Sequence, residues 1–237
     1  MSKLSEIIST IRNLPRGGQG DFDDNAYTDR QIAFIVNYYR AKLVQQDIDR
    51  GSYLTQFYNQ TLGKVKLIRA TKIECGDMDC EVGNYILRSE FEIPKAIDTK
   101  DKNLITYVGT VDGNLPYQRT TFQEATFDKY AKYTGRRTKY YELNNYIYII
   151  NPPTNNLKYI TIIGVFEDPI KVNEFKKVAC DSNDYCFNPF DMEYPMGMKY
   201  IDTIYKLITA TEFRFNHILQ YDTSNNSKDD NQIVPVQ

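Results

Sequence analysis

The sequence has no tryptophan, one histidine (His217) and only four cysteines among 237 residues. No apolar run approaches the ~20 residues that a bilayer-spanning helix needs. Positive and negative side chains nearly cancel, 29 Lys and Arg against 31 Asp and Glu, for a formal net charge of −2. Each shortage excludes something. A histidine-dependent triad could use only His217, which falls near the end of a C-terminal helical stretch, where the helix dipole suits an ordinary partly exposed imidazole. The missing basic excess argues against a dedicated nucleic-acid binder, since non-specific affinity comes from neutralised phosphates. There is no Walker loop, no dinucleotide glycine fingerprint and no nucleophile elbow. Carboxylates are plentiful, but no pair stands out by its spacing. No catalytic residue is assigned, and the chain is read as a non-enzyme. Its start, Met1 to Glu6, carries an acid among scattered apolar residues and is not read as a signal peptide. Synthesis and residence in a cytoplasm-like compartment, with no membrane partner, are therefore expected.

What is abundant is apolar patterning, with 41% hydrophobic residues and 20 tyrosines. Tyrosine suits protein interfaces and pleated half-buried strands, although an AT-rich genome would also raise it. Leu4, Ile7, Ile8, Ile11 and Leu14 recur at helical spacing, and Pro15 ends that stretch before a glycine-rich connector. A second helix starts near Thr28, where Thr28 and Gln31 make a capping-box pair. Its stripe is Ile32, Ile35, Val36, Tyr39 and Leu43, and Gly51 stops it.

The period then changes. Strands are expected over 64–75, 85–93, 140–143, 146–150 and 159–166. Asn144-Asn145 is a tight-hairpin signal. Asn151 to Asn156, with two prolines, reads as a longer turn. The last three strands are read as an antiparallel meander. Short helices are expected over 122–133 and 172–178. After Pro195 a last helix carries Ile201, Ile204, Tyr205 and Ile208 on one face and runs to about residue 218. Residues 222–237 are Ser-, Asn- and Asp-rich and read as a tail that orders only on a partner. The fold class is α+β. Residues 1–60 and 195–221 are expected to form a helical bundle, with 61–194 inserted as an antiparallel β module carrying short helices.

Two constellations could carry binding chemistry. Cys75 and Cys80, and Cys180 and Cys186, place paired thiols on polar stretches. If these met in space, four thiolates could hold a tetrahedral zinc, but the spacings are loose for a zinc knuckle. Free thiols and disulfides stay open beside it, and no other cofactor is implied. The segment 129–141 interleaves cations and rings, among them Lys132, Arg136, Arg137 and Lys139. Such a pattern can stack bases and track phosphates on single strands, or it can be a solvated face whose tyrosines pack inward.

Several strings, in order, resemble the neck proteins of crAss-like, podovirus-type bacteriophages. They are Thr28 to Ile35 with Tyr39 to Leu43, Tyr85 to Ser89 followed by Ile93-Pro94-Lys95, and Asn145 to Ile149. Phe166 to Pro169, Glu193 to Met196 and Asp222 to Asp230 complete the set. The resemblance covers most of the chain and implies a head-to-tail adaptor, a virion ring protein of the neck. It implies a homo-oligomeric, typically dodecameric ring stacked on the portal protein and other neck or tail rings, through which genomic DNA passes without sequence-specific binding. Assembly would take place in the host cytoplasm. On this reading Ile32, Ile35, Tyr39, Leu43, Ile201, Ile204, Tyr205 and Ile208 serve the core or the subunit and portal interfaces. The paired cysteines recur in such relatives, which favours zinc slightly.

Overall fold

The computed structural model describes residues 2–13, 27–51, 56–70, 86–99, 104–128, 132, 137–154, 156–179 and 188–219. Two of its helices come first in the chain, α1 (Leu4–Asn13) and α2 (Asp29–Asp49). The Thr28 side chain accepts from the Gln31 N–H at 3.4 Å, and the Gln31 side chain accepts from the Thr28 N–H at 2.8 Å. Two otherwise orphaned donors are thereby satisfied, which places the start of α2. Gly51, with φ +83°, follows its end. The first turn of α1 is held differently. Leu4 and Ser5 donate backbone N–H groups to the carbonyls of Met192 and Phe190, at 3.1 and 2.7 Å. A helix end that is tied to a distant segment in this way needs no side-chain cap.

Seven strands follow among the described residues: β1 (Gln60–Arg69), β2 (Leu87–Ser89), β3 (Ile105–Gly109), β4 (Gln118–Arg119), β5 (Lys139–Leu143), β6 (Tyr146–Ile150) and β7 (Tyr159–Gly164). The helices α3 (Phe122–Asp128), α4 (Pro169–Ala179) and α5 (Met198–Leu219) complete the fold. Across the sheet the strands run β3-β7-β1-β2-β6-β5-β4. Strand β1 joins the two halves: Gln60 to Lys66 pair with β7, and Leu67 to Arg69 pair with β2. Its register shifts between Thr61 and Gly63, where Gly63 takes φ +77°, a bulge that bends the strand.

The two ends of this order meet. Gly109 at the end of β3 bridges Pro116, and the Tyr117 N–H donates to the Val108 carbonyl at 2.7 Å, one residue before β4 begins. The sheet is thus nearly closed into a barrel, which removes most of its exposed edge. Seven strands cannot alternate in direction around a closed circuit, so at least one neighbouring pair must run parallel. That pair is β4 with β5, in the register Gln118↔Lys139 and Arg119↔Tyr140. The expected all-antiparallel module is therefore corrected to a mixed sheet. The expected meander is corrected too. β5 and β6 do form a hairpin, but β2 and β1 lie between β6 and β7. β6 ends at Ile150 without taking β7 as its neighbour, because its edge away from β5 is occupied by β2.

The barrel interior is filled by Leu62, Val65, Val108, Ile147, Ile149, Ile160 and Ile162, with Val172 and Phe175 of α4 packed on the same cluster. A second cluster gathers Leu4, Ile7 and Ile11 of α1, Ile32 and Val36 of α2, and Ile201, Ile204 and Ile208 of α5. The expected helical bundle is corrected here. α2 touches both α1 and α5. Yet Ile97, Leu104, Val165, Tyr194 and Met196, all from non-helical segments, belong to the same cluster. Leu104 and Val165 directly adjoin β3 and β7, and the Val165 N–H donates to the Leu104 carbonyl at 2.9 Å. The three helices do not cover one another's stripes alone, and the chain entering and leaving the barrel supplies the missing surface. Each such aliphatic side chain contributes roughly 1.5–3 kcal/mol on burial.

Candidate interaction surface

Helix α2 is the pivot of the helical layer, because it is used on two sides. Ile32, Val36, Arg40 and Val44, spaced by four, lie on its buried side. Phe34 and Tyr38, also four apart, stand on the outside and are 72% and 56% exposed. Apolar residues on both sides explain why the stripe is weakly one-sided in sequence.

A polar node crosses the buried side. The Tyr194 hydroxyl donates to Asn37 Oδ1 at 3.0 Å. Asn37 Nδ2 donates to Asp168 Oδ1 at 3.0 Å, and that oxygen also accepts the Ile170 N–H at 2.9 Å. Asp168 thus caps the first turn of α4 while holding α2. Arg40 is fully buried. Its Nη1 donates to the Phe166 carbonyl at 2.8 Å and its Nε to the Pro195 carbonyl at 3.2 Å. Nη2 has no hydrogen-bond partner among the described residues. The guanidinium lies 5.9 Å from the Tyr194 ring centre. Burial draws the Arg40 side chain below its ordinary range, while the neighbouring Tyr194, Tyr58 and Asp168 favour its charge. Burial pushes the Tyr194 phenol up, and the Arg40 charge opposes that shift. Hydrogen bonds from a charged donor contribute about 1.5–3 kcal/mol each, so this node fixes α2 against the segments before α4 and α5. Farther along, the Tyr39 hydroxyl meets Thr211 Oγ1 at 2.8 Å and Glu212 Oε1 at 3.0 Å, tying α2 to α5.

The exposed side of α2 forms one wall of a groove of about 740 Å³. Phe34, Tyr38, Ala41 and Lys42 line it from the helix. Lys95, Ile97 and Asp98 line it before β3, and Glu167, Asp168 and Lys171 line it around the start of α4. Lys95 Nζ and Glu167 Oε1 pair at 2.8 Å across its far wall. The polar node lies directly beneath, through Asn37 and Asp168, so the groove has a rigid floor.

Of the residues proposed from sequence for core or interface, Ile32, Tyr39, Ile201, Ile204 and Ile208 are buried within the chain, and Ile35, Leu43 and Tyr205 are half-buried against the same cluster. In the basic segment, Lys132 and Arg137 are exposed, whereas Lys139 is buried at the start of β5. Both faces of β5 are covered there: Tyr140 belongs to the barrel interior, and Tyr141 packs edge-on to Phe122 of α3 at 5.6 Å. Lys139 is thus set apart from the exposed cations. Arg136 lies outside the described residues, as do Cys75, Cys80, Cys180 and Cys186. His217 falls within the span of α5, and its side chain is outside them as well. Sequence reasoning missed the node of Asn37, Arg40, Asp168 and Tyr194. One signal was present, since Arg40 continues the four-residue spacing of Ile32 and Val36 and so puts a charge inside an apolar stripe. No helix among the described residues is long and apolar enough to cross a membrane.

A family model described as phage tail ring protein 2, of the crAss ring type, matches residues 6–231. Comparison with curated proteins gives no match.

Proposed function

The chain belongs to the phage tail ring protein 2 family, and from that premise we propose that it is a subunit of a ring in the neck of the virion, between portal and tail. As a member it is a structural protein of a crAss-like phage tail. The finer reading is a homo-oligomeric ring, probed first as a dodecamer, that docks on the portal protein and on neighbouring neck or tail rings. Genomic DNA would pass through its lumen without sequence-specific contact, and the subunit would act without catalysis. Subunits would assemble in the host cytoplasm.

The observation that carries this is the family match across nearly the whole chain. Two features support it. The net charge of −2 suits a lumen past which DNA slides, because affinity for phosphates needs paired cations. Exposed aromatic side chains, Phe34 and Tyr38 on α2 and Phe122 and Phe127 on α3, are of the kind that interfaces bury. The role requires no cofactor, and elemental analysis of the purified chain reads whether Cys75, Cys80, Cys180 and Cys186 carry zinc.

The test is native mass spectrometry of the full chain, alone and with the portal protein. The expected result is a closed oligomer of one stoichiometry, formed alone or on the portal. A chain that stays monomeric at high concentration and ignores the portal overturns the proposal. So does an assembled ring with a strongly basic channel.

A further inference from the structure

We propose that the groove on the outer face of α2 is the docking site for the chain's own residues 229–236, Asp-Asp-Asn-Gln-Ile-Val-Pro-Val. The groove and the segment are complementary in three respects, and none of them depends on the ring.

The first is apolar surface. Phe34 and Tyr38 are the exposed wall, and Ala41 and Ile97 continue it inward. Covering an aromatic pair this exposed removes apolar surface from water, which is favourable in proportion to the area covered. Beyond Tyr221 the sequence has eleven consecutive residues, Asp222 to Gln232, with no apolar side chain, and then Ile233-Val234-Pro235-Val236. Four apolar residues behind a polar tether cannot bury themselves, so a groove with an exposed aromatic wall is a surface that suits them. At about 740 Å³ the groove falls within the roughly 300–1,000 Å³ of sites that enclose small ligands.

The second is charge. Lys42 and Lys171 stand exposed on the rim. Glu167 is engaged with Lys95, and Asp168 accepts from Asn37 and Ile170. Asp98 is the one exposed acid of the lining outside these contacts, so the two outward lysines leave the rim with a positive excess. Asp229 and Asp230, four and three residues before Ile233, would bring two acids to it.

The third is reach. Tyr39 of α2 is bonded to Thr211 and Glu212 of α5, so α5 passes beside α2 within two turns of its end at Leu219. The thirteen residues 220–232 span at most ~45 Å when extended. That length is the upper limit on the distance from the end of α5 at which Ile233 could enter a groove, of its own copy or of an adjacent one.

The test uses the full chain with a photoreactive benzoylphenylalanine in place of Val234. After irradiation, mass spectrometry of peptides should locate the cross-links within 34–45, 95–98 or 167–171. An adduct of one-chain mass shows docking in the same copy, and one of two-chain mass shows exchange between copies. Both support the site. Adding Phe34→Ser, at a position exposed enough to leave the fold intact by circular dichroism, should reduce the yield about tenfold. Cross-links confined to other regions, a yield no higher than from the same group at Ser224, or no effect of Phe34→Ser would overturn the assignment. Native mass of the same samples reports the oligomer separately, so failure of the docking and failure of the ring are distinguishable.

Discussion

Arg40 Nη1 donates to the carbonyl of Phe166 at 2.8 Å, linking the middle of α2 to a residue two positions beyond β7. The same guanidinium reaches the Pro195 carbonyl, so one buried cation gathers the helical layer, the exit of the barrel and the approach to α5. Arg40→Ala removes both donors and opens a cavity, and it should cost about 3–5 kcal/mol. Arg40→Met keeps most of the volume and removes the buried charge, and should cost less, about 1–3 kcal/mol. Urea denaturation of the two variants decides the matter. Equal losses would mean that Arg40 acts through its hydrogen bonds and charge, with nothing contributed by its volume.

Thr28→Ala should destabilise by about 1 kcal/mol, because the N-terminal donors of α2 lose an acceptor. Thr28→Ser should be nearly neutral. A thermal melt that fails to separate the two substitutions would argue against the capping box as a stabilising contact.

The hairpin between β5 and β6 turns on Asn144 and Asn145, with φ of +51° and +62°. Asparagine tolerates this left-handed region, whereas a β-branched residue does not. Asn145→Val should lower stability by about 1–2 kcal/mol and Asn145→Gly should leave it unchanged or raise it. The ranking of the two variants by chemical denaturation is the readout.

Closure of the barrel depends on Gly109. A Cβ there would collide with the Leu115 carbonyl and the Tyr107 ring. The carbonyl is backbone and cannot swing aside, so Gly109→Ala should part β3 from the segment entering β4. Hydrogen exchange at Thr110 and Tyr117, whose N–H groups donate across this seam, should accelerate at least tenfold. Unchanged protection at both would show that the seam does not depend on the missing Cβ.

Alkaline stability should be set in part by Tyr58 and Tyr194, both raised well above the ordinary phenol range by burial. A phenol held protonated more strongly in the folded chain adds stability that is complete below the unfolded value near 10. That stability is lost as pH rises toward the raised folded value. Unfolding free energy should therefore fall above about pH 10, and these two phenols should ionise only with global unfolding. Tyr194→Phe should flatten the alkaline decline, and an unaltered slope would reassign it to other groups.

Much of the local structure is legible in the chain. The stripe of Leu4, Ile7 and Ile11, the Thr28–Gln31 pair and the Asn144-Asn145 turn each act over about two helical turns or less of sequence, and each is where the spacing puts it. β3 and β4 escaped sequence reading. β3 alternates poorly, with its last two residues both buried, and β4 has two residues, both exposed. Neither holds a pattern without its neighbours. The site was less legible than the fold. Arg40 broke its stripe visibly, but nothing local told which carbonyls it would meet, 126 and 155 positions away.

The sequence by itself determined where α2 begins and where β5 turns into β6, because caps and tight turns are short-range chemistry. It also determined, through the family match, that this chain is a phage tail ring protein. Only the tertiary structure decided that β1 and β2 come between β6 and β7, that closing seven strands forces β4 and β5 parallel, and that barrel segments finish the helical core. Strand neighbours are chosen by edges still unpaired across the whole chain, and stripes are covered by whatever surface is nearest in space. Neither quantity is written in any one stretch of residues.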